Sequence, residues 1–197
     1  MPAYGINQVF YGGDGDDVFD TDYEENTTGQ SPNVLLKAGA GNDKITTLYT
    51  GVTSKTYGED GDDKIILGGG ILETVVGGDG NDIIYGTEIP EGATVSSTFL
   101  YGDLGPTLAA DPSLASIGGD DKIYGMDNSV APQSIAGGPG DDLVVFGSSG
   151  SSTVKIVGDN FVGTPFAVVA NTEDATGLNI ADGDDILQMG NFFGGLV

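Results

Sequence analysis

Seven short turns built from glycine and acidic residues punctuate this chain, and their spacing constrains the fold more than any other feature. Residues 12–17 read GGDGDD, 38–43 AGAGND, 58–63 GEDGDD, 77–82 GGDGND and 137–142 GGPGDD, with shorter forms GGDD at 118–121 and ADGDD at 181–185. Aligned on the last aspartate, they place Asp17, Asp43, Asp63, Asp82, Asp121, Asp142 and Asp185 at intervals of 26, 20, 19, 39, 21 and 43 residues. The 39 and the 43 read as two periods each, with degenerate copies YGDLG (101–105) and VGDNF (157–161) in the gaps. The mean period is then about 21 residues, which is the signature of a solenoid.

Apolar residues keep step with the turns. Two residues after each aligned aspartate stand Phe19, Ile45, Ile65, Ile84, Ile123, Val144 and Leu187. A second column precedes the turns: Phe10, Leu36, Val75, Leu100, Ile135, Ile156 and Leu178, with Thr56 as its polar member. Local alternation has period two, which belongs to strands. The best helical candidate, LGPTLAADPSLAS (104–116), is interrupted by prolines. The expected fold is therefore all-β: a right-handed parallel β-roll or β-helix, one domain over residues 1–197, of about nine coils. The first coil falls at about 6–35 and the last at about 178–197, in a rod roughly 40 Å long at ~4.8 Å per coil. The acidic turns line one edge; irregular stretches such as GVTSK (51–55) and GSSGSS (147–152) line the other.

Composition removes several function classes. Acidic residues number 30 against 6 lysines and no arginine, for a formal charge of −24. Phosphate-bearing nucleic acid and anionic membrane surfaces would be repelled. There is no Cys and no His, so disulfides, thiolate or imidazole metal sites and His-based catalysis are excluded. No apolar run reaches the length of a membrane span, and MPAYGINQVF does not have the form of a secretory signal peptide. A charge this large ordinarily keeps a chain disordered. The regular apolar columns argue instead for a fold that acquires counter-ions.

The turns resemble the glycine-aspartate nonapeptide G-G-x-G-x-D-x-U-x of the RTX (repeats-in-toxin) family, in which U is a large apolar residue. GGDGDDVFD (12–20), GGDGNDIIY (77–85) and GGPGDDLVV (137–145) match at every defined position; GEDGDDKII (58–66) and AGAGNDKIT (38–46) each lose one glycine. The resemblance implies a calcium-binding β-roll. The chain departs from the family in having one nonapeptide per coil, which leaves one acidic edge instead of two.

Residue chemistry points to the same ion. Calcium takes six to eight oxygen ligands from carboxylates and carbonyls, whereas magnesium demands a tight octahedron. Glycines let a turn aim its carbonyls inward, and stacked acidic turns at ~4.8 Å would repel one another without cations between them. The expected ligand positions in the first half are Gly12, Asp14, Asp17, Gly39, Asn42, Asp43, Gly58, Asp60, Asp63, Gly77, Asp79 and Asp82. In the second half they are Asp103, Gly119, Asp121, Gly137, Asp142, Asp159, Asp182 and Asp185, for about seven ions in all. Read singly, any one copy is an ordinary solvated turn.

Lys44, Lys64 and Lys122 each follow an aligned aspartate and read as outward strand residues; Tyr11, Tyr57, Tyr85, Tyr101 and Tyr124 read as cross-strand packing. DTDYEEN (20–26) reads as a solvated loop. The chain lacks the residues of a catalyst, so no enzymatic activity is expected. The expected function is a secreted calcium-binding structural protein of a matrix, surface layer or filament, which folds on calcium and pairs head to tail with copies of itself. RTX relatives leave bacteria by type I secretion through a C-terminal signal, and ILQMGNFFGGLV (186–197) reads equally as such a signal or as the last coil. The alternatives are a monomeric calcium module of a larger secreted toxin or hydrolase, or an adhesin or ice-binding solenoid. A flat Thr/Asn array would mark ice binding, and Asn precedes the aligned aspartate only at Asn42 and Asn81.

Overall fold

The computed structural model describes residues 7–23, 33–49, 53–67, 72–86, 97–103, 118–125, 133–146, 154–157 and 186–189. These residues form strands and turns, with no helix among them. The candidate at 104–116 lies outside them.

The strands alternate between two parallel sheets of seven. One holds β1 (Asn7–Asp14), β3 (Asn33–Ala40), β5 (Thr53–Asp60), β7 (Leu72–Asp79), β9 (Ser97–Tyr101), β11 (Gln133–Ala136) and β13 (Val154–Val157) in chain order. The other holds β2 (Val18–Tyr23), β4 (Lys44–Tyr49), β6 (Lys64–Leu67), β8 (Ile83–Gly86), β10 (Lys122–Tyr124), β12 (Leu143–Phe146) and β14 (Ile186–Met189). Each odd strand, the acidic turn after it and the next even strand make one coil, an arrangement compatible with a β-solenoid.

Both apolar columns are register columns. Phe10, Leu36, Thr56, Val75, Leu100, Ile135 and Ile156 pair in one line across the first sheet. Phe19, Ile45, Ile65, Ile84, Ile123, Val144 and Leu187 pair in one line across the second. Leu36, Val75, Leu100 and Ile135 are buried against Ile45, Ile65, Ile84, Ile123 and Val144, with Phe10 and Phe19 packed on the cluster. Alternation is what produces this: in β6 Ile65 and Leu67 point inward while Lys64 is exposed. Each such aliphatic side chain contributes about 1.5–3 kcal/mol on burial. Leu178 lies outside the described residues.

The expectation of nine coils does not hold for the two long intervals. β8 pairs directly with β10, aligning Ile84 with Ile123, and β12 pairs directly with β14, aligning Val144 with Leu187. The 39- and 43-residue intervals are therefore single steps. In the first of them, Tyr101 aligns with Val76 and Ala136, which puts Gly102 and Asp103 at the opening of a turn whose remainder is 118–121. YGDLG and GGDD are thus two parts of one turn, separated by residues 104–117. Chain length alone does not distinguish a missing coil from an insertion; hydrogen-bond register does.

Candidate metal site

In a full turn the first glycine stands two residues after an odd strand's core residue, as Gly12 after Phe10 and Gly77 after Val75, and the aligned aspartate immediately precedes an even strand. The turn reverses tightly, and its second and fourth positions carry positive φ: Gly13 at 123°, Gly15 at 100°, Gly78 and Gly80 at 133°. Glu59 takes the second position in coil three at φ 81°, a conformation that normally falls to glycine. Its carboxylate bonds Lys37 Nζ of the preceding coil at 2.5 Å.

The aligned aspartates form an inner row. Asp43, Asp63, Asp82, Asp121 and Asp142 are all buried. Each accepts at Oδ1 a hydrogen bond from the backbone N–H of the aligned aspartate one coil earlier. Asp17 donates to Asp43 and Asp43 to Asp63 at 2.7 Å, Asp63 to Asp82 at 2.8 Å, Asp82 to Asp121 at 2.7 Å and Asp121 to Asp142 at 2.9 Å. The bond from Asp82 to Asp121 spans the long interval and fixes it as one coil.

An outer row, exposed, runs in the opposite sense. Here the N–H of each pre-aspartate residue donates to the side chain one coil earlier. Asn42 donates to Asp16 and Asp62 to Asn42 at 2.9 Å, Asn81 to Asp62 at 2.8 Å, Asp120 to Asn81 at 2.7 Å and Asp141 to Asp120 at 3.0 Å. Of this row the sequence reading chose only Asn42. The signal that would have found the rest is that the fifth turn position is always Asp or Asn, the two side chains that present such an Oδ1.

The second oxygen of the inner row is what makes the turn a candidate site. Oδ2 of Asp43, Asp63, Asp82 and Asp121 is buried without a hydrogen-bond donor. A methyl added at Gly58 would collide with Asp63 Oδ2 and with the carbonyl of Gly77 in the next coil. At Gly77 the collision is with Asp82 Oδ2 and Gly102 O, at Gly102 with Asp121 Oδ2 and Gly137 O, and at Gly12 with Asp17 Oδ2 and Ala38 O. Each of these four coils therefore gathers one carboxylate oxygen of its own and one carbonyl oxygen of the following coil around its first glycine. Ala38 stands where the other coils have this glycine, and its methyl is fully buried. No three carboxylates converge among the described residues, so any cation held here is bound by a mixed set of carboxylate and carbonyl oxygens, the set calcium accepts.

Electrostatics agree with the geometry. Burial pushes Asp63 up to about 7, Asp82 up to about 8 and Asp121 up to about 9, against an ordinary 3.8. Neighbouring carboxylates add to each shift, and the N–H bond each accepts opposes it. Asp43 is raised by the same first cause. Without a counter-ion the buried row resists carrying its charge; a cation among the oxygens reverses that preference.

The structure sorts the sequence-expected residues as follows. Asp17, Asp43, Asp63, Asp82, Asp121 and Asp142 come together as the inner row, and Gly12, Gly58, Gly77 and Gly137 as the first-glycine column. Gly39 holds the second position, at φ 115°, and the Gly119 backbone packs between those of Gly80 and Gly140. Asp14, Asp60 and Asp79 are exposed on the outer rim. Asp103, fully buried, occupies a second-glycine position. Asp159, Asp182 and Asp185 lie outside the described residues. Glu73 escaped the sequence reading: it is fully buried, between Ser54 and Thr98 in register, toward the edge opposite the acidic turns. Tyr85 and Tyr124 stack at 4.8 Å, and Lys64 lies 5.5 Å from the Tyr85 ring, in keeping with cross-strand packing.

Comparison with protein-family models, with curated proteins and with solved structures finds no match for this chain.

Proposed function

We propose that this is a calcium-binding structural protein: a right-handed β-solenoid of the RTX type whose acidic turns take up calcium and whose folding depends on it. The observation that carries this reading is the buried row of Asp63, Asp82 and Asp121, whose Oδ2 atoms have no donor and lie beside main-chain carbonyls of the next coil. Asp63, Asp82 and Asp121 would each hold an ion together with the carbonyl of Gly77, Gly102 or Gly137 respectively. The bound ion supplies charge neutralisation, and these residues supply oxygens already fixed by the Oδ1 bonds between coils. Right-handed winding accords with the strong rule for parallel strands joined by a crossover.

The role is binding and structural, not catalytic. The described residues expose four large apolar side chains, and all lie on the end coils: Val9 (48%), Tyr11 (69%) and Val18 (72%) on the first and Ile186 (61%) on the last. This favours pairing of molecules head to tail, a heterologous contact that can run on as a fibre. Calcium sites of the weak extracellular class fill only at extracellular concentrations, so the working location is outside the cell, reached by type I secretion.

Circular dichroism in chelator and then in millimolar calcium at pH 7.5 tests the central claim. A β-signal that grows with calcium supports it, and a full signal in chelator sinks it. Light scattering with electron microscopy during the same titration tests assembly, with filaments that dissolve in chelator as the expected result and a persistent monomer as the contrary one.

A further inference from the structure

The geometry points to one cation site unlike the rest, built by Asp103 and Asp121 where the turn is split by residues 104–117, and binding a divalent cation of the calcium class more tightly than any single-carboxylate turn. The inference rests on the calcium reading above.

Asp103 stands in register with Gly78 before it and Gly138 after it, at a place where the other described coils have glycine or, once, Glu59. Glu59 is partly exposed and paired with Lys37. Asp103 is fully buried, and no donor meets either of its carboxylate oxygens at hydrogen-bonding geometry, the Gly119 backbone being the one polar group near enough to favour its charged form. Its side chain turns into the coil stack: a methyl on Gly118 would lie 2.8 Å from Asp103 Oδ2, and one on Gly138 would lie 2.8 Å from its carboxyl carbon. Asp121 Oδ2, also buried without a donor, faces Gly102, the residue adjacent to Asp103. The Gly137 carbonyl lies beside that oxygen, and the Pro139 carbonyl lies beside Gly118.

The Asp103 carboxylate and the Pro139 carbonyl thus lie at Gly118, and the Asp121 carboxylate and the Gly137 carbonyl at Gly102, in the two parts of one split turn, near enough that the Asp121 charge acts on Asp103. Two carboxylates neutralise a divalent cation completely, whereas a one-carboxylate cradle leaves a net positive charge in a buried place. Buried charge left unbalanced is costly, and ligand charge count is a principal determinant of calcium affinity. This site therefore fills first as calcium rises, and about tenfold or more below the others in concentration.

The test is calorimetric titration of the full chain with calcium, alongside Asp103→Gly, which restores the glycine of the other coils, and Asp103→Asn, which keeps the shape and removes the charge. The wild type is expected to show one tight site ahead of a weaker class. Both variants are expected to lose the tight site and keep the weaker class, together with the calcium-dependent circular dichroism change. Variants that titrate like the wild type overturn the assignment while leaving the calcium reading intact. A wild type with one uniform class also overturns it, and a wild type that binds no calcium overturns both.

Discussion

Remove the cations and raise the pH, and the fold should loosen. Four buried carboxyls carry the effect: Asp63, Asp82, Asp121 and Asp103, raised by burial from 3.8 to about 7, 8, 9 and 10 respectively. For Asp103 the charges of Asp121, Asp142 and Asp82 add to burial, and the Gly119 backbone opposes it. In the unfolded chain these groups titrate near their ordinary value. Between pH 4 and the folded values the folded state holds more protons than the unfolded one, so stability falls as pH rises. The stabilisation is fully present below about pH 4 and disappears as pH passes through the folded values of about 7 to 10. One pKa unit is worth about 1.4 kcal/mol. By pH 7 each group has forgone roughly three units, about 4 kcal/mol, and the four together on the order of 10 kcal/mol or more. That rivals the entire stability of an ordinary domain, about 5–15 kcal/mol. The assay is circular dichroism with urea titration in chelator at pH 5, 7 and 8.5, repeated at pH 8.5 with calcium. The expected order is most stable at pH 5 and least at pH 8.5, with calcium restoring the fold at pH 8.5. A chelated protein as stable at pH 8.5 as at pH 5, or one that unfolds on acidification to pH 5, refutes the reasoning.

Three further outcomes follow from named positions. Gly77→Ala puts a methyl on Asp82 Oδ2 and the Gly102 carbonyl, and should lower the calcium count by one and cost about 1–3 kcal/mol; Ala38→Gly, its converse, should raise the count by one, both read by calorimetry. Asp82→Asn keeps an Oδ1 acceptor for the Asp63 N–H but removes the charge, so in chelator at pH 8 its urea midpoint should rise while its calcium affinity falls. Ile65→Ala empties a fully buried core position and should cost about 2–5 kcal/mol at saturating calcium, seen as a lower urea midpoint with little change in ion count.

The two apolar columns and the acidic row were legible in the sequence because each depends on strict local spacing: an inward residue two places after a fixed turn can face only one way. The coil count was not legible from intervals alone. A partial cue was present in the first long gap, where Gly105 and not an apolar residue stands two places after Asp103. A coil lacking that residue would leave a hole in the core. The split turn was hidden because Gly102–Asp103 and Gly118–Asp121 are each incomplete, and only the register of Tyr101 with Ala136 joins them. Glu73 was hidden for another reason. Period two forces it inward next to Val75, while its charge argues for solvent; the geometry of the strand decided. The outer row needed hydrogen bonds between coils, which single-strand patterning does not reveal.

The two rows of side-chain bonds, inner and outer, run in opposite senses, and this gives every coil two unlike faces. Toward the following coil it presents an inner N–H and an outer Oδ1; toward the preceding coil it presents an inner Oδ1 and an outer N–H. Each face is the mould of the other. One coil therefore dictates the position and direction of the next without reference to the rest of the chain. Length becomes a free variable: a coil can be duplicated or excised at this edge, and the two cut faces still fit.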